Sequence, residues 1–494
     1  SRAADRFTTQ TQHRRQRLTN RQQGEQQLSL LLCTQLEHTD GFGGGTAFWA
    51  LATPPGEEDD FTCDRRECWD ARGHWVVPDH FGRQTGVGLD PCAALATRLV
   101  LLPAGQSAQR VFLMGYAANP DAAGELAVRE ALIAPATRLA QVRQSWDALL
   151  GATQVKTPDP LFDALVNRWL LYQAVSCRLW AKAGFYQAGG ATGFRDQLQD
   201  AMALAWAAPV MLREQIVLCA SRQFAAGDVQ HWWHAPGGAG VRTHFSDDLL
   251  WLAHALLHYL RATGDKSLLD EPVPFLEGSE IPEGAEDIYE TPRISLEVAS
   301  VYEHAARTLD HSLRVGIHGL PLMGTGDWND GMNRVGHEGR GESVWLAWFS
   351  CKLVADFVPL ARSRGDVARV ARWEEAAVGW RAALDGPAWD GEWFKRAFFD
   401  DGQPLGSHAN TECRIDLIAQ AWSVLSGAAS LERQRTALAS MQTHLVDDEA
   451  GLIKLLDPPL AHAQPSAGYI QAYPPGVREN GGQYAHAGVW ALMA

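Results

Sequence analysis

A helical pattern begins at Asp159-Pro160 and recurs, with interruptions, to the end of the chain. Aspartate is a favourable N-cap residue, and proline suits the first helical position because its missing N–H has no partner there. The apolar spacing that follows predicts a long helix ending at Gly184, and further helices near 197–224, 246–263, 294–313, 343–363, 368–384, 412–426, 431–445 and 483–494. Helices joined by long, chemically dense loops indicate a toroid of helical hairpins whose loops meet at one end.

The first third of the chain has a different pattern. From about Leu28 to Ala118, short apolar runs are separated by Gly, Pro and Asp clusters, which is typical of a sheet-rich module. Residues 1–30 are polar and rich in Arg and Gln, so we expect a frayed or foreign N-terminus. The predicted fold class is an α+β multidomain protein, mainly α, with a partial β-sandwich and an atypical N-terminal stretch at 1–118, a helical linker at 119–158 and a helical domain at 159–494.

Charge and composition exclude several classes of function. The formal net charge is −15, so a nucleic-acid partner is not expected. We find no apolar stretch of membrane-spanning length and no signal peptide, and we therefore expect a cytoplasmic location. The 8 cysteines have no standard zinc spacing, so we expect reduced thiols and neither a metal nor a cofactor. Signatures of nucleotide, serine-hydrolase and zincin chemistry are also missing.

Tryptophan is the unusual component, with 19 residues. Flat amphipathic rings serve as stacking platforms in sugar-binding clefts. Large helical cores also use tryptophan, and composition alone does not separate the two interpretations.

The first of four dense loops leads into a helix with the sequence GGATGFRDQLQDAMAL, which begins at Gly189. Asp196 and Asp200 share a helical face, and Arg195 lies at the helix start. Such a cluster can hold several sugar hydroxyls, with glycines permitting close backbone approach. The alternative is an ordinary helix cap with an intrahelical Arg–Asp pair.

The second loop has the sequence GDVQHWWHAPGGAGVRTHFSDDLLWL. His231 and His234 are spaced as a helical metal-binding pair would be, but the adjacent glycines favour a loop and no third ligand is evident. A Trp/His surface for sugars and plain packing remain open. Ser246 followed by Asp247 and Asp248 fits a helix N-cap with acids in the first turn equally well.

The third loop, GTGDWNDGMN, places Asp327, Trp328 and Asp330 on a turn bounded by glycines. A carboxyl group beside an aromatic ring can have a raised pKa and act as a proton donor. The two aspartates need not have the same role. Asn-Asp-Gly is also a common turn sequence, so an ordinary turn is the alternative.

The fourth loop, YPPGVRENGGQYAH, carries Arg478, a glycine pair and His486 at the opening of a helix. Free backbone N–H groups and a planar guanidinium both favour a phosphate. A glycine-rich connection capped by Glu479 is the alternative.

Taken together, the four loops resemble glycoside hydrolase family 94, a family of inverting β-glucoside phosphorylases. The longest stretches of this resemblance are HGLPLMGTGDWNDGMNRVGHEGRGESVWLAWF and YPPGVRENGGQYAHAGVW. The resemblance runs over roughly Asp159 to Ala494, and around Asp228 and Asp327 it is strongest to the C-terminal domain of cyclic β-1,2-glucan synthases. It implies an N-terminal β-sandwich, a helical linker, an (α/α)6 barrel that carries the site, and a small C-terminal β piece.

The resemblance also implies one catalytic residue and one residue of the donor sugar subsite. Asp330 matches the general acid of the family, and Trp328 matches the aromatic residue that lines the donor glucose subsite. The implied reaction is attack of inorganic phosphate on the anomeric carbon of a β-1,2-glucan or related β-glucoside, with release of α-glucose 1-phosphate. Because phosphate is itself the nucleophile, the enzyme needs a proton donor and no catalytic base.

The same resemblance implies binding roles for five other residues. Arg195 and Asp200 match residues that hold donor hydroxyls, Arg478 and Glu479 match a substrate-contacting pair, and His486 matches the phosphate-binding histidine. The implied partners are a β-glucan oligosaccharide or polymer, inorganic phosphate, and a membrane-bound glucosyltransferase module of the same synthase at the cytoplasmic face of the inner membrane.

The family's phosphate site also uses a Thr-Gly pair beyond the position of His486, whereas this chain stops at Ala494 inside an apolar helix. We therefore expect a barrel truncated at its C-terminus and poorly stable alone. Two other functions stay open from the residues. One is an inverting β-glucan hydrolase with Glu479 as the base, and the other is a glucan-binding module without turnover.

Overall fold

The computed structural model describes residues 8–20, 24–36, 45–54, 59–97, 101–181, 190–235 and 237–494. These form two compact units, Ser1–Gly151 and Ala152–Ala494. The first unit contains six strands and two helices: β1 (Thr9–Asn20), β2 (Gly24–Gln35), β3 (Thr46–Thr53), β4 (Asp59–Asp64), β5 (Pro91–Thr97), β6 (Val111–Ala117), α1 (Pro120–Ala131) and α2 (Pro135–Leu150).

An antiparallel sheet in the order β1-β2-β3-β6 forms the centre of the first unit, and β4 pairs separately with β5. Leucines of β2 and small or aromatic residues of β3 pack against alanines of α1, including Ala123 and Ala127. Asn119 caps α1 and precedes Pro120 at the first helical position.

The expectation of a frayed N-terminal stretch is wrong for the part that the structure describes. Thr9 lies opposite Gln35 and Asn20 lies opposite Gly24, so β1 is paired along its whole length. Its residues Arg14 to Arg17 are exposed while Leu18 is buried. Charged side chains are typical of edge strands, because they discourage pairing with other chains. Residues 1–7 and 21–23 lie outside the described residues.

The second unit is mainly helical. Its helices are α3 (Pro160–Ala164), α4 (Leu170–Gln173), α5 (Phe194–Met202), α6 (Pro209–Ala220), α7 (Leu250–Thr263), α8 (Val301–His311), α9 (Val344–Ser363), α10 (Val367–Asp385), α11 (Leu417–Leu425), α12 (Leu431–Leu445) and α13 (Ala485–Met493). Its strands are β7 (Ala191–Gly193), β8 (Gln230–His234), β9 (Gly240–Thr243), β10 (Pro272–Glu277), β11 (Asp287–Glu290), β12 (Arg293–Ser300), β13 (Glu342–Ser343), β14 (Ala397–Phe398), β15 (Pro404–Leu405), β16 (Ile415–Asp416), β17 (Val446–Asp447), β18 (Leu452–Ile453) and β19 (Leu456–Asp457).

Five alternate helices form a series in which each packs against the next, in the order α5, α7, α9, α11 and α13. The helices between them, α6, α8, α10 and α12, each pack against a member of that series. This alternation of an inner and an outer helix is the architecture of an α/α toroid, as the helical pattern of the sequence predicts. A sheet in the order β11-β9-β8-β7 lies next to α5 in the chain and in space.

Three predicted helices differ from the observed elements. The helix after Asp159 continues to residue 179 but contains two π-helical segments, Leu165–Trp169 and Ala174–Leu179. The predicted helix 197–224 is two helices, because Pro209 restarts the chain at the first position of α6. The predicted helix 294–313 begins as strand β12, whose alternating Ile294, Leu296 and Val298 have the period of a strand.

Tryptophan serves mainly the helical core. Ten of the chain's 19 tryptophans belong to one continuous cluster of buried residues in the second unit. The packing interpretation of the tryptophan content is therefore the better one. Among the described residues, α9 is long and apolar enough to cross a membrane, but 72% of its most apolar window is buried inside the protein. Core helices commonly meet the same length and composition criteria.

Candidate active site

The third dense loop is held in place by Asp327. Its carboxylate is fully buried and accepts two hydrogen bonds from Arg396, at 2.6 and 2.7 Å, and one from Ser343 Oγ at 2.6 Å. Burial alone would raise the pKa of Asp327, but Arg396 and the hydrogen bonds lower it below its ordinary value. Asp327 is therefore an ionised structural anchor and not a proton donor.

The conformation of this loop requires glycine at one position in particular. Gly324 has a φ of 63°, and a Cβ atom there would lie 1.9 Å from the backbone oxygen of His244. The backbone of Gly326 then accepts hydrogen bonds from the backbone N–H and the hydroxyl of Ser246. The loop is thus attached along its length to the segment 244–246.

Asp330 stands on the accessible side of the same loop. Its side chain retains 35% of its exposure, and its Oδ1 accepts a hydrogen bond of 2.9 Å from Arg195 Nη2. Burial raises the pKa of Asp330 above its ordinary value, and this effect outweighs the lowering by Arg195 and His231. Of the two aspartates in the loop, Asp330 is the one that can carry a proton to a bound molecule.

Arg195 brings three segments of the chain together. Its guanidinium is buried and donates to both carboxylate oxygens of Asp247 at 3.2 Å, to the backbone oxygen of Asp327 at 3.2 Å, and to Asp330. Trp251 Nε1 donates a further bond of 3.0 Å to Asp247. The position of Asp330 therefore depends on α5 and on the acids that precede α7.

The acids before α7 are site residues, and the sequence interpretation of Ser246 as an N-cap is wrong. The helix begins at Leu250 without a side-chain cap. Asp248 Oδ2 instead contacts His231 Nδ1 at 2.6 Å, and the His231 ring stacks on Phe245 with centroids 4.5 Å apart. Burial opposes the charge on His231, but Asp248 raises the pKa of the imidazole to about 9. A cationic histidine therefore lies beside Asp330.

The helical face assumed for a His231–His234 metal pair is also absent. Both residues lie on strand β8, and β8 pairs with β7 and β9. Neighbouring side chains on a strand point to opposite faces, so residues three positions apart do not share one. The structure instead assigns His231 to the ion pair with Asp248.

Trp328 and His486 contact each other. Trp328 Nε1 donates a hydrogen bond of 3.3 Å to His486 Nδ1, and the indole retains only 6% of its exposure. Burial lowers the pKa of His486 to about 4. The imidazole is therefore neutral near pH 7, with Nδ1 as the acceptor and the proton on Nε2. Nε2 lies 3.3 Å from the amide nitrogen of Gln199, and because both nitrogens are donors this contact is not a hydrogen bond. His486 can offer an N–H donor to a ligand that displaces this amide.

Asp200 does not contact Arg195. Its Oδ2 accepts a hydrogen bond of 2.6 Å from Arg178 Nε, and Arg178 lies 3.9 Å from Asp196. Burial raises the pKa of Asp200 in spite of this ion pair. The two carboxylates that share a face of α5 are thus bound by an arginine from the preceding helix, which the sequence interpretation did not include.

Arg478 and Glu479 pair with each other on another side of the site. Arg478 Nε lies 3.2 Å from Glu479 Oε2, and its guanidinium lies over the ring of Tyr473 at 4.6 Å. Arg478 has a φ of 53°, an unusual value for an arginine that the closure of this turn imposes. The predicted pair therefore forms a local unit that is held against an aromatic side chain.

Tyr469 connects this pair to Asp330, and sequence reasoning missed it. Burial raises the pKa of Tyr469, and the negative charges of Asp330 and Glu479 raise it further, so the phenol lies in the field of both carboxylates. The backbone N–H of Tyr469 donates to Asn333 Oδ1 at 3.1 Å, which ties this segment to the loop of Asp330. A tyrosine more than one hundred residues away carried no motif that could have identified it.

The site thus combines the Asp330 carboxyl group, the cations Arg195 and His231 beside it, and a tyrosine that lies near both Asp330 and a second carboxylate. A toroid of paired helices that carries such loops defines a carbohydrate-active enzyme of the helical-barrel class. Comparison with known proteins gives the family. Residues 145–494 match the glycosyl hydrolase 94 superfamily catalytic domain, and residues 4–130 match the glycosyl hydrolase 94 supersandwich domain. The chain belongs to this family, which confirms the predicted resemblance and fold class.

Several characterised proteins are similar to the chain. It is 46% identical over 462 residues to the cyclic beta-(1,2)-glucan synthase NdvB of Rhizobium meliloti (strain 1021), covering 92% of the chain and 16% of NdvB. It is 30% identical to the N,N'-diacetylchitobiose phosphorylase of Vibrio furnissii, covering 72% of the chain and 45% of that enzyme. It is also 30% identical to the 3-O-beta-D-glucopyranosyl-beta-D-glucuronide phosphorylase of Paenibacillus borealis, covering 82% and 50%.

The chain spans half or less of the length of these curated relatives. Among solved structures, the cellobiose 2-epimerase of Spirochaeta thermophila DSM 6192 aligns with a TM-score of 0.40 at 13% identity, covering 70% of the chain and 83% of that protein. The family assignment rests on the sequence matches, and relatives with sequence similarity are carbohydrate phosphorylases and a glucan synthase.

Proposed function

We propose that the chain is an inverting glycoside phosphorylase domain whose general acid is Asp330. The observation that carries this proposal is the position of Asp330, whose pKa is raised by burial while the Arg195 hydrogen bond fixes its orientation. A carboxyl group whose pKa is raised by burial holds its proton more readily than an exposed one and can transfer it to the leaving glycosidic oxygen. Phosphate then attacks the anomeric carbon from the opposite face, the glycosidic bond breaks, and α-glucose 1-phosphate forms.

Three groups around the fourth loop support a phosphate site. His486 lies in the first turn of α13 as a neutral N–H donor. That helix begins without a side-chain cap, so its first N–H groups are free for an anion. Arg478 contributes a guanidinium that is more than half exposed and not fully used by Glu479. These groups would offset the repulsion between phosphate and the neighbouring carboxylates.

We further propose that the substrate is a β-1,2-glucan and that the domain works within a cyclic β-1,2-glucan synthase. The similarity to NdvB over 92% of the chain supports this choice over the disaccharides of the other relatives. In such a protein the domain would act beside a membrane-bound glucosyltransferase module at the cytoplasmic face of the inner membrane. Phosphorolysis there would shorten the glucan one glucosyl unit at a time.

An inverting hydrolase is the second candidate. Glu479 Oε2 is buried and accepts no hydrogen bond from the described residues. The charges of Glu479 and Asp330 both act on Tyr469, so the two carboxyl groups lie near the same aromatic side chain. An inverting hydrolase requires such an acid and base on opposite faces of the sugar, with water between them.

The experiment that separates the two functions measures products from linear β-1,2-glucan with and without inorganic phosphate. Glucose 1-phosphate that requires phosphate and is lost in Asp330→Asn would support the phosphorylase. Free glucose formed without phosphate, and lost in Glu479→Gln, would support the hydrolase. Glucan binding without either product would leave a binding module, the third function considered from the sequence.

A further inference from the structure

The helical unit contains a cavity that is not lined by Asp330 or Arg195. It has a volume of about 470 Å³, and the sites of small ligands commonly have about 300 to 1,000 Å³. The lining includes 243–246 and the loop residues Gly324 and Thr325, together with Glu280, Arg314 and 336–339. None of the residues assigned above to acid catalysis or to phosphate lines it.

The floor of this cavity contains an unsatisfied hydroxyl group. Thr325 retains 4% of its exposure, and its Oγ1 has no hydrogen-bond partner among the described residues. Buried hydroxyls are nearly always hydrogen-bonded, since an unpaired one costs free energy. Thr325 is held in place by its backbone N–H, which donates to the backbone oxygen of His244 at 3.3 Å. The hydroxyl oxygen has almost no accessible surface of its own, so contact with a molecule in the cavity requires rotation of the Thr325 side chain.

Most charged side chains that line the cavity are already paired with an opposite charge. Arg242 is held by Asp228 through two hydrogen bonds, and Glu338 is paired with Arg340. His337 lies 3.2 Å from Asp400. Two lining residues of opposite charge, Arg314 and Glu280, have no ion pair within the part of the chain that the structure describes. A cavity with one unpaired group of each sign favours a neutral ligand over an anion.

His244 adds a group that can both donate and accept. Burial lowers the pKa of His244, and the cations Arg314 and Arg242 lower it further, so the ring is neutral near pH 7. A neutral imidazole presents one donor and one acceptor nitrogen. Together with a hydroxyl, a guanidinium and a carboxylate, this set matches the vicinal hydroxyls of a pyranose, which also donate and accept.

We infer that this cavity is a second carbohydrate-binding site, which takes one or two hexose units through Thr325, His244, Arg314 and Glu280. The cavity lies next to the candidate active site, and Phe245 belongs to the wall between them. Phe245 lines the cavity and stacks on His231, which lies beside Asp330. The choice of a β-1,2-linked glucosyl unit as the ligand rests on the proposed function, whereas the binding itself does not.

The test measures binding of glucose, of the β-1,2-linked disaccharide and of longer linear β-1,2-gluco-oligosaccharides by calorimetry without phosphate. All variants are made in the Asp330→Asn background, which prevents turnover. We expect two binding events, one of which weakens about three- to tenfold in Thr325→Val and about tenfold or more in Arg314→Met. Thr443→Val and Arg435→Met, which change exposed residues of α12, are the matched controls and should bind as the parent does.

Thr325→Val also distinguishes a binding role from a structural one. Since the hydroxyl has no partner among the described residues, its removal should leave the Tm unchanged or raise it. For the disaccharide, a single binding event or two events unaffected by both variants would overturn the inference, and so would a Tm lowered by Thr325→Val.

The chain-length series identifies the source of the sugar, and either result supports the site. Affinity that rises with chain length and loses this rise in Thr325→Val would mean that the cavity holds a remote part of the bound glucan. Equal affinity for the disaccharide and longer chains would mean a free sugar that acts as an effector. A wild-type chain that forms no glucose 1-phosphate would overturn the proposed function and leave this binding result unchanged.

Discussion

Arg195 Nη2 and Asp330 Oδ1 are joined by a hydrogen bond of 2.9 Å across 135 positions of the chain. The same guanidinium binds Asp247, so the orientation of the candidate acid is set from within the helical core. Burial nevertheless raises the pKa of Asp330. A proton donor that is both oriented and protonatable requires these opposing effects, since an arginine alone would keep the carboxyl ionised.

Replacing Arg195 should impair folding as well as activity. Arg195→Met leaves Asp247 buried without its cation, and removal of one partner of a buried ion pair typically costs about 3 to 5 kcal/mol. We expect a loss of that size in the free energy of unfolding, measured by urea denaturation. Adding Asp247→Asn should recover much of the stability and none of the activity. Equal stability of Arg195→Met and wild type would contradict the role given to the guanidinium.

Replacing the two aspartates of the third loop one at a time should affect stability in one variant and catalysis in the other. Asp327→Asn removes a carboxylate that is fully buried against Arg396, and we expect a loss of about 3 kcal/mol or more in unfolding free energy. Asp330→Asn, at a half-exposed position, should change stability by about 1 kcal/mol or less and abolish product formation. The measurement is urea denaturation of both variants beside a product assay. A reversed order of stabilities would show that the two roles are assigned wrongly.

The aspartates of the candidate active site illustrate what could and could not be predicted from the sequence. The motif around Asp330 and its resemblance to the family identify the acid loop, because both are local properties of consecutive residues. The roles of Asp327 and Asp248 depend on Arg396 and His231, which are remote in sequence and come close only in the folded chain. Local patterns carry no information about such pairings, so the sequence left Asp248 open between a sugar-contact surface and the first turn of a helix.

The helices of the toroid could be predicted from the sequence, whereas strand β12 and the position of Tyr469 could not. Apolar periodicity is set by burial of one helix face, and it survives in α7, α9 and α12. Strand β12 was missed because its alternating residues lie directly before α8, and the helical pattern of α8 was extended back over them. Tyr469 was missed because its position depends on the turn at Gly468, where φ is 125°.

The ion pair of His231 and Asp248 predicts a loss of stability at alkaline pH. The folded pKa of His231 is raised to about 9 from the ordinary value of 6.5, with Asp248 outweighing burial. The contribution is therefore fully present below about pH 6.5 and is lost as the pH rises through about 9. We expect unfolding free energy to fall by up to about 3 kcal/mol across this range. In His231→Asn the same pH series should be flatter, and an unchanged slope would refute the assignment.

His486 should determine the affinity for phosphate and not for the glucan. Its pKa is lowered to about 4, so between pH 5 and 8 it acts as a neutral donor whose contribution does not titrate. His486→Gln keeps an N–H donor but changes its position against Trp328, and we expect the KM for phosphate to rise about tenfold while the KM for glucan changes little. His444→Gln, an exposed histidine that also contacts a tryptophan, is the matched control. A parallel rise in both KM values would place His486 in sugar binding instead.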